Sequence, residues 1–272
     1  MIIDLAKQGT ASAVITLTIF AIGLAAERVA PAEKQQPTEG IRLNVCYAIF
    51  SSFARSAILA GIPVLGVGSL VGSLIVLPSE GWAVVLSIII YIVIADFAEY
   101  LFHRAQHAWP VLWALHSLHH SDHSVNVTTT TRHHWVDALI RVLAIYPIIG
   151  VLFAVPYQAV LVYGVIGHYH YILHFNMRMS FGPLWAILNS PQYHRLHHSD
   201  LARNHNKNFA GLFPIFDLLF GTYCRPTVGE YPTTGIEGWR GPNRICQAIV
   251  WPLANPSSVV AKINHTFDGN CT

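Results

Sequence analysis

The sequence predicts an all-α fold, a polytopic membrane helical bundle of about four transmembrane helices with a histidine-rich helical cap on one side. Three observations predict it. Hydrophobic residues make up 53% of the 272 and charged residues only 11%, with a mean hydropathy of +0.44, whereas a soluble domain carries about 25% charged residues. Several apolar runs reach the roughly 17–25 residues that carry a helix across a bilayer. No histidine precedes position 103, and fifteen of the sixteen then fall between 103 and 205.

The elements follow in order. The first apolar segment runs from about Ala11 to Ala26. The preceding "MIIDLAKQ" lacks a basic start, so a retained helix is expected rather than a cleaved signal peptide. The proline-bearing "ERVAPAEKQQPTEGIR" (27–42) reads as a loop. A long apolar stretch from about Leu43 to Leu77 is interrupted by Arg55 and "AGIPVLGVGS", and it reads either as one bent crossing or as a hairpin. Pro78 to Gly81 make a turn, and "WAVVLSIIIYIVIADFAEYLFHRAQH" starts apolar and ends polar. A further helical pair, roughly Val136–Val155 and Pro156–His174, is joined by a very short turn at Pro156. Beyond it the long apolar runs cease. We therefore expect a single integral-membrane domain over residues 1–272: membrane helices only in 1–90, a histidine-bearing core in 91–225 and a C-terminal tail in 226–272.

Charge orients this bundle. With 43–77 as one net crossing, loop 27–42, segment 103–135 and everything after 175 share a side. That side holds Arg28, Lys34, Arg42, Arg104, Arg132, Arg178, Arg195, Arg203 and Lys207, against Lys7 opposite. Basic residues mark cytoplasmic loops, so the histidine-bearing side is expected in the cytoplasm. The net charge of +2 shows no basic patch, which argues against a nucleic-acid partner. Cys46, Cys224, Cys246 and Cys271 stand far apart with no C-x-x-C, as expected of unpaired thiols rather than a zinc ribbon or disulfide scaffold.

The histidines form units: "HRAQH" (His103, His107), "HSLHH" (His116, His119, His120), "HYILH" (His170, His174) and "HRLHH" (His194, His197, His198). Residues three or four apart share a helix face, so each unit aims its imidazoles one way. Neutral imidazole is the commonest metal ligand and suits zinc, copper, iron and nickel. One such pair alone fits an interfacial histidine hydrogen-bonded to headgroups. Four units at the same membrane face fit two metal ions, with all ten histidines as candidate ligands.

These units carry a resemblance. The order H-R-x-x-H, H-x-x-H-H-S, H-x-x-H-H-S, seen as "HRAQH", "HSLHHSD" and "HRLHHSD", resembles the fatty acid hydroxylase/sterol desaturase superfamily of membrane histidine-box oxygenases. "KNFAGLFPIFDLLFGTY" (207–223) is similar to that family's stretch after the last box. "HYILHFN" resembles the segment supplying an extra pair in its fatty-acid 2-hydroxylase branch, whereas the three-residue spacing in "HRAQH" is closer to the sterol desaturase type. The resemblance spans roughly residues 90–225. It implies two Fe ions, with zinc able to occupy the same nitrogens, and O2 as co-substrate. It implies hydroxylation or desaturation of a sterol-like, fatty acyl or other lipid drawn from the bilayer. Electrons would come from a separate reductase with a small redox carrier.

Residues outside the boxes carry further expectations. Asp96 and Glu99 share a helical stripe with His103, and a carboxylate there is costly enough to suggest that it accepts the free N–H of a ligand histidine. His134, in "TTTTRHHW", is expected beside the site for its likeness to a family segment there. His123, His133, His168 and His205 read as hydrogen-bonding residues, Asp217 as a local pin, and Trp82, Trp109, Trp113 and Tyr157 as interfacial anchors. Two other classes compete. A membrane zinc hydrolase would want a glutamate base, but Arg104, Ala105 and Gln106 fill the first box where H-E-x-x-H has one. A metal transporter or sensor would place ligands near mid-membrane rather than at helix ends.

Overall fold

The computed structural model describes residues 2–61 and 73–253. Helix α1 (Ile2–Glu27) is followed by α2 (Thr38–Gly61), and a two-residue strand β1 (Ile75–Val76) precedes α3 (Ala83–Ala108). Next come α4 (Pro110–His120), a 3-10 turn at Val127–Thr131, α5 (Trp135–Ala144) and α6 (Tyr146–Leu152). Strand β2 (Phe153–Ala154) leads into α7 (Tyr157–Ile166) and α8 (Tyr169–Leu173). The remaining helices are α9 (Pro191–His197), α10 (Ile215–Phe220) and α11 (Ile245–Ile249). Among the described residues four stretches are long and apolar enough to cross a membrane: Ile3–Glu27, Thr38–Ala60, Ala83–Ala108 and Trp135–Leu152.

The expected bundle is present, with breaks that sequence explains. The stretch expected over 136–155 is two helices, because Pro147 has no N–H to continue the ladder and stands near the start of α6. The stretch expected over 156–174 is likewise divided at Gly167 and His168, leaving α8 only five residues long. The two strands pair in parallel, Ile75 with Phe153 and Val76 with Ala154, at the face away from the histidines.

Hydrogen bonds fix which ends lie together. The Glu27 carboxylate ending α1 accepts from the backbone N–H of Val127 (2.7 Å) and of Asn176 (3.0 Å). Near the start of α2, Asn44 donates to Asp122 (2.8 Å), and the Tyr47 hydroxyl donates to the His133 carbonyl. The far ends meet where Leu74 N–H donates to the Val151 carbonyl. Between Asn44 and Leu74 the chain therefore passes once, net, from one face to the other. Residues 62–72, which include most of the "AGIPVLGVGS" interruption, lie outside the described residues, as does His265.

Apolar clusters such as Tyr91, Ala95, Phe102, Ile145 and Ile149 are buried, and the outer surface is apolar as well. Ile15, Ile22, Val85, Ile89 and Ile148 are exposed on the spanning stretches, and Leu161 and Val165 on α7, as a lipid-facing surface requires. The polar and charged side chains collect at one end, buried: Asn44, Asp122, Thr129, Arg132 and, among the described residues, eight histidines, His116, His119, His120, His134, His174, His194, His197 and His198. Cys46 and Cys246 are free thiols, but Cys224 is disulfide-bonded, so the expectation of unpaired thiols fails at that position.

Candidate metal centre

The site is built where α3 and α8 end and α4 and α9 lie beneath them. Pro110 and Pro191 start α4 and α9, where a missing N–H costs nothing. Ser190 caps α9 by accepting from Tyr193 N–H. Each of these short helices then carries its H-x-x-H-H unit in its last turn or just beyond.

Among the described residues nine histidines gather into two groups, each with candidate ligand atoms within 4.8 Å of one another. One holds His103, His107, His116, His120 and His197, the other His119, His174, His194 and His198. The two H-x-x-H-H units are divided between them in reciprocal fashion. The first unit gives His116 and His120 to the first group and His119 to the second, while the second gives His194 and His198 to the second and His197 to the first. The groups adjoin, with His120 stacked on His198 at 4.4 Å between ring centroids.

The donor set fits metal ions. His103 Nε2 lies 3.1 Å from His116 Nε2, and His107 Nε2 lies 3.1 Å from His120 Nε2. In the second group His174 Nε2 is 3.2 Å from His119 Nε2 and 3.1 Å from His194 Nε2. Nitrogens bound to one ion at about 2.1 Å stand about 3.0–3.4 Å apart between right-angle and tetrahedral geometry. Backbone carbonyls set the tautomers. His103 Nδ1–H donates to Phe209 O (2.7 Å), His197 Nδ1–H to Lys207 O (2.8 Å) and His174 Nδ1–H to His170 O (2.7 Å), leaving each Nε2 lone pair free. Among the described residues His197 Nε2 is buried with no hydrogen-bond partner, as a nitrogen reserved for a metal would be. Burial, and after it neighbouring imidazoles, holds His116, His119, His120, His194 and His198 well below the usual histidine range. Burial first, then His103, does the same for His197. The rings are thus neutral, the state that ligation requires.

Four of the residues singled out in the sequence make other contacts. His170 stands in neither group: α8 ends at Leu173, and the His170 ring lies where a side chain on Gly211 would meet it, 3.1 Å from its Cε1. Asp96 accepts from the backbone N–H of Leu212 (2.9 Å) and Phe213 (3.0 Å) rather than from a histidine, fixing the chain that carries the Phe209 carbonyl. Glu99 pairs with Arg141, which also donates to Asp137. The His134 ring caps α5 by accepting from Val136 N–H, and its neighbour His133 instead stacks on His119 at 4.0 Å. A helical stripe shows which residues share a face but not which neighbour meets them.

Supporting residues that spacing did not reveal surround the groups. Arg132 donates to Leu118 O, Asn44 Oδ1 and Ser121 Oγ, and Asp122 accepts from Asn44 and Thr129. The available signal was a pair of charges, Asp122 and Arg132, flanking a threonine run beside a histidine unit. Asp217 accepts from Tyr193 OH, Thr222 OH, Phe209 N–H and Ala210 N–H, and so is the local pin expected of it. Trp82, Trp109 and Tyr157 are exposed, but Trp113 is half-buried against His107 (4.9 Å) and His120 (5.4 Å).

A cavity of about 550 Å³ is lined by Ile92 of α3, Val165 of α7, Tyr169 and Ile172 of α8, and Leu212 and Phe213 among others, with none of the nine grouped histidines in its wall. Its lining is apolar, and Asp96 anchors its Leu212–Phe213 wall.

Comparison with known proteins agrees with this geometry. The fatty acid hydroxylase family matches residues 88–222, a range that encloses both histidine groups. An ornithine lipid hydroxylase of Rhizobium tropici is 32% identical over 180 residues, covering 66% of this chain and 53% of the relative. Alkylglycerol monooxygenases of Caenorhabditis elegans and Homo sapiens are 33% and 34% identical, over 52% and 47% of this chain and 28% of each relative. The chain thus spans about half the length of the first relative and little over a quarter of the others. No solved structure matches it. With the histidine units in family order, the matched range and these relatives, the chain belongs to the fatty acid hydroxylase/sterol desaturase superfamily.

Proposed function

We propose that the chain is an O2-dependent lipid hydroxylase, an oxidoreductase that works with two iron ions at the cytoplasmic face of a membrane. The observation that carries this reading is the pair of adjoining all-imidazole groups at the ends of membrane helices. Bound iron supplies the redox chemistry that turns O2 into an attack on a C–H bond, which zinc does not offer although it can fill the same nitrogens. His103, His107, His116, His120 and His197 hold one ion, and His119, His174, His194 and His198 hold the other. Phe209, Lys207 and His170 keep three of the rings in the ligating tautomer through their carbonyls. Burial of both groups excludes water from the reaction.

The apolar cavity takes a hydrocarbon chain of the lipid from the bilayer. Oxygen insertion is favoured over desaturation because the relatives are named hydroxylase and monooxygenase. Electrons come from a separate reductase or small redox carrier. Arg28, Lys34, Arg42, Arg178, Arg203 and Lys207 on the histidine side support the cytoplasmic orientation. The whole chain acts as one integral-membrane domain.

Metal analysis with O2 uptake on reduction tests the reading. Two irons per chain and consumption of O2 are expected; zinc with ester or peptide cleavage, or metal flux without lipid product, would replace it with the hydrolase or transporter reading. Comparing lipids of a strain lacking the protein with its parent should reveal a hydroxyl that disappears, and thereby the substrate.

A further inference from the structure

A chain of indoles leads away from the candidate metal centre. Trp113 sits against two rings of the five-histidine group, 4.9 Å from His107 and 5.4 Å from His120. Its neighbour Ala114 presents a carbonyl that accepts from the Trp251 indole N–H at 3.0 Å, and Ser117 Oγ accepts from the same N–H at 3.1 Å. Trp251, only 2% exposed, meets Trp239 with ring centroids 4.6 Å apart. Trp239 is half-buried, with Glu237, Gly238 and Arg240 exposed beside it. Trp113 and Trp239 pack against one apolar cluster with Tyr47, Leu118, Ala248 and Trp251. Indoles are the most easily oxidised of the aromatic rings, and these three are connected by bond, hydrogen bond and ring contact from a candidate metal ligand to the surface.

We propose that Trp113, Trp251 and Trp239 form a one-electron path between the five-histidine group and the protein surface, which discharges the oxidised centre when no lipid occupies the cavity. The proposal rests on the iron-dependent reading above. In each passage Trp113 gives one electron to the centre and is refilled from Trp251, and Trp251 is refilled from Trp239. Trp239 takes its electron from a thiol- or ascorbate-class reductant in solution, or from the redox carrier. The centre is reduced by one electron, the external reductant is oxidised by one, and no atom is transferred. The two hydrogen bonds on Trp251 hold its N–H proton in place during the transfer. The path spares the ligand imidazoles, which would otherwise be the nearest groups to oxidise.

The test uses the full chain in detergent, loaded with iron or with zinc, treated with limiting hydrogen peroxide and no lipid, and read by peptide mass spectrometry. Hydroxytryptophan and kynurenine are expected at Trp251 and Trp239 in the iron form and not in the zinc form. Trp113→Phe, which keeps an apolar ring against His107 and His120, should lose both products while oxidation of those two histidines appears. Ascorbate should suppress the wild-type products, and Trp239→Phe should weaken that protection while leaving oxidation at Trp251. Equal tryptophan oxidation with zinc, or products at Trp251 and Trp239 that persist in Trp113→Phe, would overturn the path. Iron content and hydroxylated lipid, measured on the same untreated wild-type protein, report separately whether the iron-dependent reading itself fails.

Discussion

At the scale of single residues the two histidines of "HYILH" separate. His174 brings Nε2 to within 3.1 Å of His194 Nε2, whereas His170 contributes its carbonyl to His174 and its ring fills the space where a side chain on Gly211 would lie. His174→Ala should therefore lose about half of the bound metal, since removing one of four ligands opens a site held by few bonds. His170→Ala should retain the metal, because its carbonyl remains. Metal analysis of the two purified variants decides the matter, and equal loss from both would return His170 to the ligand set. The candidate ligands were legible because helical spacing and imidazole chemistry are local properties. Their partners were not. Asp96, Glu99 and His134 all stand near the histidines in sequence, yet their side chains are taken by Leu212 and Phe213, by Arg141 and by the start of α5. Trp113 looks like an interfacial anchor until α4 folds back and lays it on His107.

At the scale of elements, the stretch after the last histidine unit depends on one carboxylate. Asp217 joins α10 to the backbone of Phe209 and Ala210 and to Tyr193 of α9, and burial raises its pKa. Asp217→Ala would leave buried donors unpaired at about 1–3 kcal/mol each. It should lower the thermal midpoint by several degrees and release metal, because the Phe209 carbonyl that orients His103 moves with this loop. An unchanged midpoint in a thermal scan would show that the loop is held elsewhere. The cavity between α3, α7 and α8 offers a second element-scale prediction. Ile172→Trp should fill the cavity and raise KM for the lipid severalfold with metal content unchanged, as measured by product formation against lipid concentration. The helices themselves were largely legible from apolar length. The choice between a crossing and a hairpin at 43–77 was not, because it rests on partners far along the chain: Asp122 for Asn44 and Val151 for Leu74.

For the whole molecule, the centre that binds metal is also a store of buried neutral histidine, and this sets how stability depends on pH. Burial, then neighbouring rings, depresses His116, His119, His120, His194 and His198, and burial with His103 depresses His197, all well below the usual value. In the unfolded chain the same residues titrate near about 6.5. Above that value both states carry neutral rings, and the histidines contribute no pH dependence. Below it the unfolded chain binds protons that the fold does not, so stability falls as pH falls, by up to about 1.4 kcal/mol per histidine per pH unit. Six histidines acting together make this a steep loss against the total stability of a domain, about 5–15 kcal/mol. Metal-free protein should therefore show a thermal midpoint that is flat above about pH 7 and drops progressively below about pH 6.5. Metal-loaded protein should hold its midpoint to lower pH and then lose it more sharply, because bound metal keeps the rings deprotonated until protons displace it. Thermal unfolding of the chelated and loaded forms across this range measures both curves. A midpoint that stays level in the chelated protein would mean that the histidines are protonated within the fold, and that the centre opens to water when its metal is removed.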